Sequence, residues 1–440
     1  MIRILFIVNH FYPELGAIRT EFEIARELAR KGNKVLVVTT FPRDYRLPKG
    51  CKYHVPKLRP AIIECIDRLR ILRVKSFKSH IDEMKQRIAD LITSMKALLL
   101  ASLPLAPFYD VLLVAGDIEL VVSQIGVLLK ALWHKPLVVI LHDIHPDTLV
   151  RSGVIKGKTI VKLAELLIRM FSKWVDKVIV HSYANARILS KRYNMPMEKI
   201  EVVELWANIN EILPASLNTR RVLKEKYIED LSRFVVTFAG VMNPPQGLDV
   251  VVYAAKYIKD NYENSKDILF LLVGDGMDKP RLVKLTKQLG VDDIVKFLPL
   301  QPRNKYIEIL QLSDACLVTL RRDYIQPVVP SKLLEIMAAG CPVILSMPPH
   351  SDAVKIVLKR KCGIYAGNGD PRKLAQAVIT LLRNPRLRQI FSMNGRRAAE
   401  DYYNLNRAVK QYSNILGEII NRGKINLIRK QSEYPLVGFF

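Results

Sequence analysis

In PSKLLEIMAAGCPVI, residues 330–344, two charged side chains sit where a helix has no structural use for them. The segment reads as a helix: Pro330 and the capping candidate Ser331 open it, Gly340 closes it and Pro342 follows. Lys332 then falls in the first turn, whose unpaired N–H groups already make that end positive, at a cost of about 0.3–1 kcal/mol. Glu335 interrupts an apolar run and lies one position beyond the site of a capping-box carboxylate, which Leu334 occupies. A Lys332–Glu335 pair at i,i+3 would offset only a few tenths of a kcal/mol. A bound phosphate would turn the lysine's cost into a gain, and a carboxylate one turn further in could accept hydrogen bonds from the paired hydroxyls of a ribose.

Three other turns could do chemistry of the same kind. PELGAIRT, residues 13–20, follows the first apolar run. In AGVMNPPQGLD, residues 239–249, Gly240 ends a strand, two prolines stiffen the loop, and Gln246-Gly247 leads into a helix whose free N–H groups could meet phosphate. GDGM, residues 274–277, is open to a plainer reading, in which Gly274 and Gly276 merely permit a tight turn. Elsewhere, His142 and Asp143 in LHDIHPDT stand directly after the run PLVVI, where an imidazole or carboxylate could take a proton from an incoming hydroxyl or simply cap a strand end. His145 and His181 have no obvious partner at catalytic spacing and read as structural.

The elements that must position these residues alternate. RILFIV, KVLVVTT, DVLLVAG, PLVVILHD and KVIVHS are short β-rich runs separated by helical periodicity, and RFVVTFAG, ILFLLVGDG, IVKFLPL, ACLVTL and PVILSM repeat the scheme. The expectation is an α/β protein of two doubly wound domains, with ligands beyond the carboxyl ends of the strands. The alternation stops in NINEILPASLN, residues 208–218, which divides the chain into 1–212, 213–405 and a C-terminal helix with a basic tail over 406–440 that could return to the first domain.

With 440 residues, two cores are the natural expectation. Five scattered cysteines without a C-x-x-C pair suggest neither a disulfide framework nor a zinc site, and fit a reducing cytosol. A formal net charge of +26 favours anionic partners, without choosing among nucleotides, lipid head groups and nucleic acid. The basic segments lack interleaved aromatics, and no helix-turn-helix or zinc-finger pattern is visible, so nucleic acid is not expected. The start MIRILFIVNHFYP reads as a strand rather than a leader, and the longest uncharged run, ALLLASLPLAPFY, has 13 residues with two prolines, short of the ~20 that span a bilayer. In residues 79–101, Ile81, Met84, Ile88, Leu91, Ile92 and Met95 recur at helical spacing with lysines at other positions. Such a helix either packs on the first sheet or lies on an anionic membrane surface.

Taken in order, these motifs resemble the retaining, nucleotide-sugar-dependent glycosyltransferases of family 4, with the two-Rossmann-domain GT-B fold. The opening strand, loop and first helix, then KVIVHSYANARIL, FAGVMNPPQGLDVVVYAA, LLVGDGMDKPRLVKL, LSDACLVTL and PSKLLEIMAAGCPVI, follow the family's order from about residue 2 to 420. LHDIHPDTLV and the PSK form of the last motif resemble the branch that transfers sugars to lipid-linked or polysaccharide acceptors. The resemblance implies two Rossmann-like domains facing a cleft, the first for the acceptor and the second for the nucleotide sugar, UDP in preference to GDP. Glu335 would hold the ribose; Ser331 and Lys332 the diphosphate; Gly240, Asn243, Gln246, Gly247 and Gly274 would line the donor's loops; Gly16 would approach the donor from the first domain. His142 or Asp143 would orient sugar or acceptor. Neither a metal nor a cofactor is implied, and the protein would work on the cytoplasmic side, peripherally at the membrane. An epimerase of the same fold and a non-catalytic basic binding protein are the alternatives. The chain departs from the family at Asn243 and Gln246, where many members have Arg and Lys, and at Pro327, where many have an acid, which shifts charge compensation to Lys332 with Arg321 or Arg322.

Overall fold

A computed structural model describes the chain apart from residues 15–18, 43–52, 57–58, 77–83, 116–118, 143–165, 167, 170, 229, 325–328 and 434–440, and apart from the side chains of residues 84–89, 119–121 and 423–433. The chain forms two compact units, one of Met1–Glu204 with the C-terminal segment from Asn406, the other of Leu205–Leu405.

The first unit is built on an eight-stranded sheet of order β3-β4-β2-β1-β5-β6-β7-β8, comprising β1 (Arg3–Val8), β2 (Lys34–Thr40), β3 (Ala61–Ile66), β4 (Leu69–Val74), β5 (Val111–Ala115), β6 (Leu137–Leu141), β7 (Lys177–Val180) and β8 (Ile200–Val202). All neighbours are parallel except β3 and β4, which form an antiparallel edge. Strands covered on both faces can be uniformly apolar, and β5, β6 and β7 are buried at every position. The helices are α1 (Arg19–Arg30), α2 (Met84–Ser102), α3 (Glu119–Trp133) and α4 (Tyr183–Tyr193). The last starts where the Ser182 side chain accepts a hydrogen bond from the Asn185 N–H.

The second unit has a six-stranded, wholly parallel sheet of order β11-β10-β9-β12-β13-β14: β9 (Phe234–Ala239), β10 (Ile268–Val273), β11 (Val295–Leu298), β12 (Ala315–Thr319), β13 (Val343–Ser346) and β14 (Gly363–Tyr365). Between them run α5 (Leu217–Tyr227), α6 (Asp249–Asn261), α7 (Lys279–Gln288), α8 (Arg303–Leu312), α9 (Ser331–Ala338), α10 (Asp352–Arg360), α11 (Pro371–Arg383) and α12 (Pro385–Asp401). One core packs α6 and α11 against Val236, Phe238, Phe270 and Leu272; another packs α9 against Val318, Val343 and Leu345. The final helix, α13 (Leu405–Glu433), belongs to the first unit from Asn406 onward.

Both sheets carry the doubly wound order, in which the chain reverses direction beside its first strand. The reversal lies between β1 and β5 in the first unit and between β9 and β12 in the second, and in sheets of this order ligands bind beyond the carboxyl ends of the strands beside it. The fold therefore directs attention to the ends of β9 and β12, where Gly240, Gln246 and Arg321 lie, and to the ends of β1 and β6, where Asn9 and His142 lie.

Candidate active site

In the second unit the loop after β9 is fixed by the loop after β10. The Gly240 N–H donates to the Val273 carbonyl, and the Met242 N–H donates to that of Asp275, both at 2.9 Å. A Cβ on Gly274 would stand 1.9 Å from the Gly240 carbonyl oxygen, so the two loops can meet this closely only with glycine there. Gly274 and the Asn243 side chain serve that junction: Asn243 Oδ1 accepts from the Met277 N–H at 3.0 Å, which commits it to the protein's own backbone. The loop then passes Gln246 to Gly247, whose missing Cβ would lie 3.0 Å from Arg321 Cα, while the Arg321 N–H donates to Pro245 O at 2.9 Å. The Arg321 guanidinium turns outward into a bidentate pair with Asp323, both contacts at 2.6 Å.

Lys332 points into this corner from α9. Its ammonium donates to Gln246 Oε1 at 2.8 Å, stands 4.0 Å from the centre of the buried Phe238 ring, and lies 3.5 Å from where a Cβ of Gly240 would be. It has no carboxylate partner among the described residues, and burial pushes its pKa down to about 7. An amide oxygen and a ring face stabilise a cation far less than a paired anion would. The alternative Lys332–Glu335 pair is not formed, since Glu335 meets Arg303 and Lys332 meets Gln246. Ser331 does not cap the helix: Pro330, with its fixed φ of −60° and extended ψ of 129°, takes the N-cap position, and no side chain caps the first turn. Ser331 is instead the exposed first residue of α9.

Glu335, one turn in, is held from α8. Arg303 contacts Glu335 Oε1 at 2.7 Å, and the Tyr306 hydroxyl donates to Oε2 at 2.8 Å. Arg303 also donates to both oxygens of Glu211, at 3.1 and 3.2 Å. Although burial opposes its charge, the two carboxylates outweigh that and raise the Arg303 pKa above its usual value; burial, with Glu335 beside it, raises that of the Tyr306 phenol. A carboxylate offers about four acceptor positions, so two remain on Glu335 for further donors.

The first unit contributes a separate constellation. His142, at the end of β6, places Nε2 2.5 Å from Glu21 Oε1 of α1 and Nδ1 3.0 Å from His181 Nε2; His181 Nδ1 reaches Val203 O at 2.9 Å. The reading of His181 as unpartnered is thus corrected: it stacks on His142 with ring centres 4.8 Å apart. Burial first, then the neighbouring His142, lowers the His181 pKa to about 3. Beside β1, the buried Arg73 donates to Tyr12 O at 2.5 Å and to Glu64 at 2.6 Å, tying down the start of the first loop. Gly16, Asp143, His145 and Pro327 lie outside the described residues.

Two family models match the chain in succession: Glycosyltransferase Family 4 over residues 16–210 and Glycosyl transferases group 1 over residues 219–398. The chain belongs to glycosyltransferase family 4. D-inositol 3-phosphate glycosyltransferase of Salinispora tropica is 24% identical over 330 residues, 71% of this chain and 66% of that one. The putative colanic acid biosynthesis glycosyl transferase WcaI of Escherichia coli is 26% identical over 203 residues, 46% of this chain and 48% of that one. The matches thus span about two thirds and half of those relatives' lengths. Among solved structures, sucrose-phosphate synthase of Thermosynechococcus elongatus superposes with a TM-score of 0.76 at 15% identity, covering 96% of this chain and all of that one. Anabaena Alr3699/HepE in complex with UDP gives 0.70 at 17%, covering 94% and 100%. These likenesses establish the GT-B fold with its two Rossmann-like domains.

The sequence pointed to Lys332, Gln246 and Glu335, but not to Arg303, Tyr306, Glu211 or Glu21. Arg303 and Tyr306 lie three apart and so share a helix face, which was a usable signal. Glu21 precedes Ala25 and Leu28 by four and seven residues, placing a carboxylate on the buried stripe of α1.

The Lys332 pKa gives a signed prediction. The folded state holds this amine at about 7 against 10.5 unfolded, so between those values the unfolded chain binds more protons and stability rises with pH. The penalty is therefore fully present below pH 7 and vanishes above 10.5. Lys332→Met is expected to be stabilised relative to the parent at pH 6.5, by a margin that shrinks steadily toward pH 10, in parallel denaturant titrations. A pH-independent difference contradicts the assignment.

Proposed function

We propose that the protein transfers a sugar from a nucleoside-diphosphate sugar, with UDP preferred to GDP, to a hydroxyl of a lipid-linked or glycan acceptor, with retention of configuration at the anomeric carbon. The observation that carries this reading is Lys332: a half-buried ammonium with no carboxylate partner among the described residues, at the first turn of α9 and beside the β9/β12 reversal. A diphosphate there would pair with Lys332 and with the free N–H groups of α9, and supply the missing charge. No metal is needed at the diphosphate on this reading. The two remaining acceptor positions of Glu335 suit the two ribose hydroxyls, with Arg303 and Tyr306 holding the carboxylate in place. The preference for UDP rests on the Alr3699/HepE complexes with UDP and UDP-glucose. His142 is assigned to orienting the sugar or acceptor.

A titration of UDP, GDP, UDP-sugars and GDP-sugars into the parent and Glu335→Ala tests the donor side. A UDP series should bind more tightly than the GDP series, and Glu335→Ala should lose at least ~10-fold, the value of one or more charge-assisted hydrogen bonds. Unchanged affinity in the variant removes Glu335 from the ribose, and turnover that needs no acceptor points to an epimerase.

We place the enzyme peripherally on the cytoplasmic face of a membrane. No helix among the described residues is long and apolar enough to cross one. The inner side of α2 packs into the first unit's core through Leu98, while its outer stripe reads Ile92, Lys96, Leu100, and α3 beside it exposes Leu128, Leu132 and Trp133. Apolar side chains at this density, on a protein of net charge +26, suit an anionic lipid surface. The protein should sediment with anionic vesicles at low salt and Leu100→Glu should sediment less; a parent protein left in the supernatant contradicts the placement.

A further inference from the structure

Arg303 meets two carboxylates in two different ways. Its Nε and Nη2 donate to the two oxygens of Glu211, at 3.1 and 3.2 Å, in the forked pairing that guanidinium and carboxylate favour. Only Nη1 contacts Glu335, on a single oxygen at 2.7 Å. Glu335 is therefore held by one nitrogen on Oε1 and by the Tyr306 hydroxyl on Oε2, at 2.8 Å. Each carboxylate oxygen accepts about two hydrogen bonds, so the open positions are divided one to each oxygen. Two neighbouring hydroxyls need that division. The origin of the Glu211 side chain is fixed as well. It leaves a turn in which the Ile212 N–H donates to Asn208 O at 2.9 Å. Arg396 of α12 ties that turn to α9: Nη1 donates to Ile212 O at 2.7 Å and to Ala338 O at 2.8 Å, and Nη2 donates to Ile209 O at 3.2 Å. Ala338 ends the helix that carries Glu335, so both carboxylates are referred to one element.

We infer that Glu211 is a positioning residue of the donor site: it holds the Arg303 fork so that one nitrogen alone touches Glu335, which leaves an acceptor position on each carboxylate oxygen for the ribose. The inference rests on the proposed ribose role of Glu335. Without Glu211, the edge of Arg303 best suited to a carboxylate is unpaired, and the carboxylate this side chain already touches is Glu335. A guanidinium that turns to grip both oxygens takes the lone pair on Oε2 that a hydroxyl would use. The consequence runs against charge alone. Removing an acid from a site for a polyanion should favour the anion by Coulomb's law, yet here it costs recognition of the ribose.

The test is calorimetric titration of the full chain with UDP, 2′-deoxy-UDP and inorganic pyrophosphate. The parent should bind UDP at least ~10-fold more tightly than the deoxy compound. In Glu211→Ala, UDP should weaken at least ~5-fold and its advantage over the deoxy compound should largely vanish, while pyrophosphate, which has no ribose, binds as well as before or better. Adding Arg303→Met to Glu211→Ala removes the turned guanidinium and should recover UDP affinity at least ~3-fold. General damage to the fold gives another pattern, in which pyrophosphate weakens together with UDP and the second substitution recovers nothing; that result overturns the inference. A Glu211→Ala protein that binds UDP more tightly, as charge alone dictates, overturns it too. Should Glu211→Ala fail to fold, Glu211→Gln decides, because it keeps one acceptor for Arg303: the preference for UDP should fall at least ~2-fold, and an unchanged preference overturns the inference. A parent that does not prefer UDP to the deoxy compound sinks the ribose role of Glu335 and this inference with it. A preference kept in both the parent and Glu211→Ala sinks this inference alone.

Discussion

Lys332 carries its charge into a place where burial alone drives an amine toward neutrality, and the second unit is arranged around that imbalance. The ammonium faces Gln246 and the Phe238 ring, neither of which can neutralise it. The cost is tolerated because the surrounding frame is rigid: β9 and β12, buried at every position, lie side by side in the parallel sheet, and the glycine contact between the Gly240 and Gly274 loops leaves no room for the first loop to withdraw. A frame that cannot collapse onto its own cation keeps it available for an anionic ligand, and electrostatic preorganisation of that kind acts without further rearrangement when charge arrives.

The same logic separates two kinds of polar group. Glu335 is compensated before any ligand binds, by Arg303 and Tyr306, so its position is set and its remaining lone pairs are aimed. Lys332 is not compensated. An acid held in register one turn beyond a cation kept short of charge is the arrangement a nucleoside diphosphate would need, ribose on one and diphosphate on the other. In the first unit, Glu21, His142 and His181 are linked by hydrogen bonds across three elements, a contact set separate from the Lys332 corner.

Much of the fold was legible in the sequence, because parallel strands covered on both faces must be written as apolar runs: FVVTFA became β9, ILFLLV became β10 and ACLVT became β12. Lys332 and Glu335 were legible because each violates a local rule of helix design. Their partners were not. Tyr306 is 29 residues from Glu335, and His181 is 39 from His142, so these bonds are decided by how β-strands are ordered, which no local pattern records. Asn243 was read as a ligand-facing residue because its loop resembles a phosphate loop; the contact of its Oδ1 with the Met277 N–H joins two loops 34 residues apart, which no local pattern records. Ser331 lost its capping role to the backbone of Pro330 for a reason one residue wide.

The most direct test of the account is the proton balance of nucleotide binding. Isothermal titration of UDP at pH 8, repeated in buffers of different ionisation enthalpy, counts the protons taken up. With the free amine near 7 and the diphosphate raising it well above 8, uptake should approach ~0.9 proton per nucleotide and fall to near zero in Lys332→Met, with weaker binding. UDP binding with no proton uptake in the parent, or with the same uptake in the variant, would contradict the claim that Lys332 waits for the diphosphate.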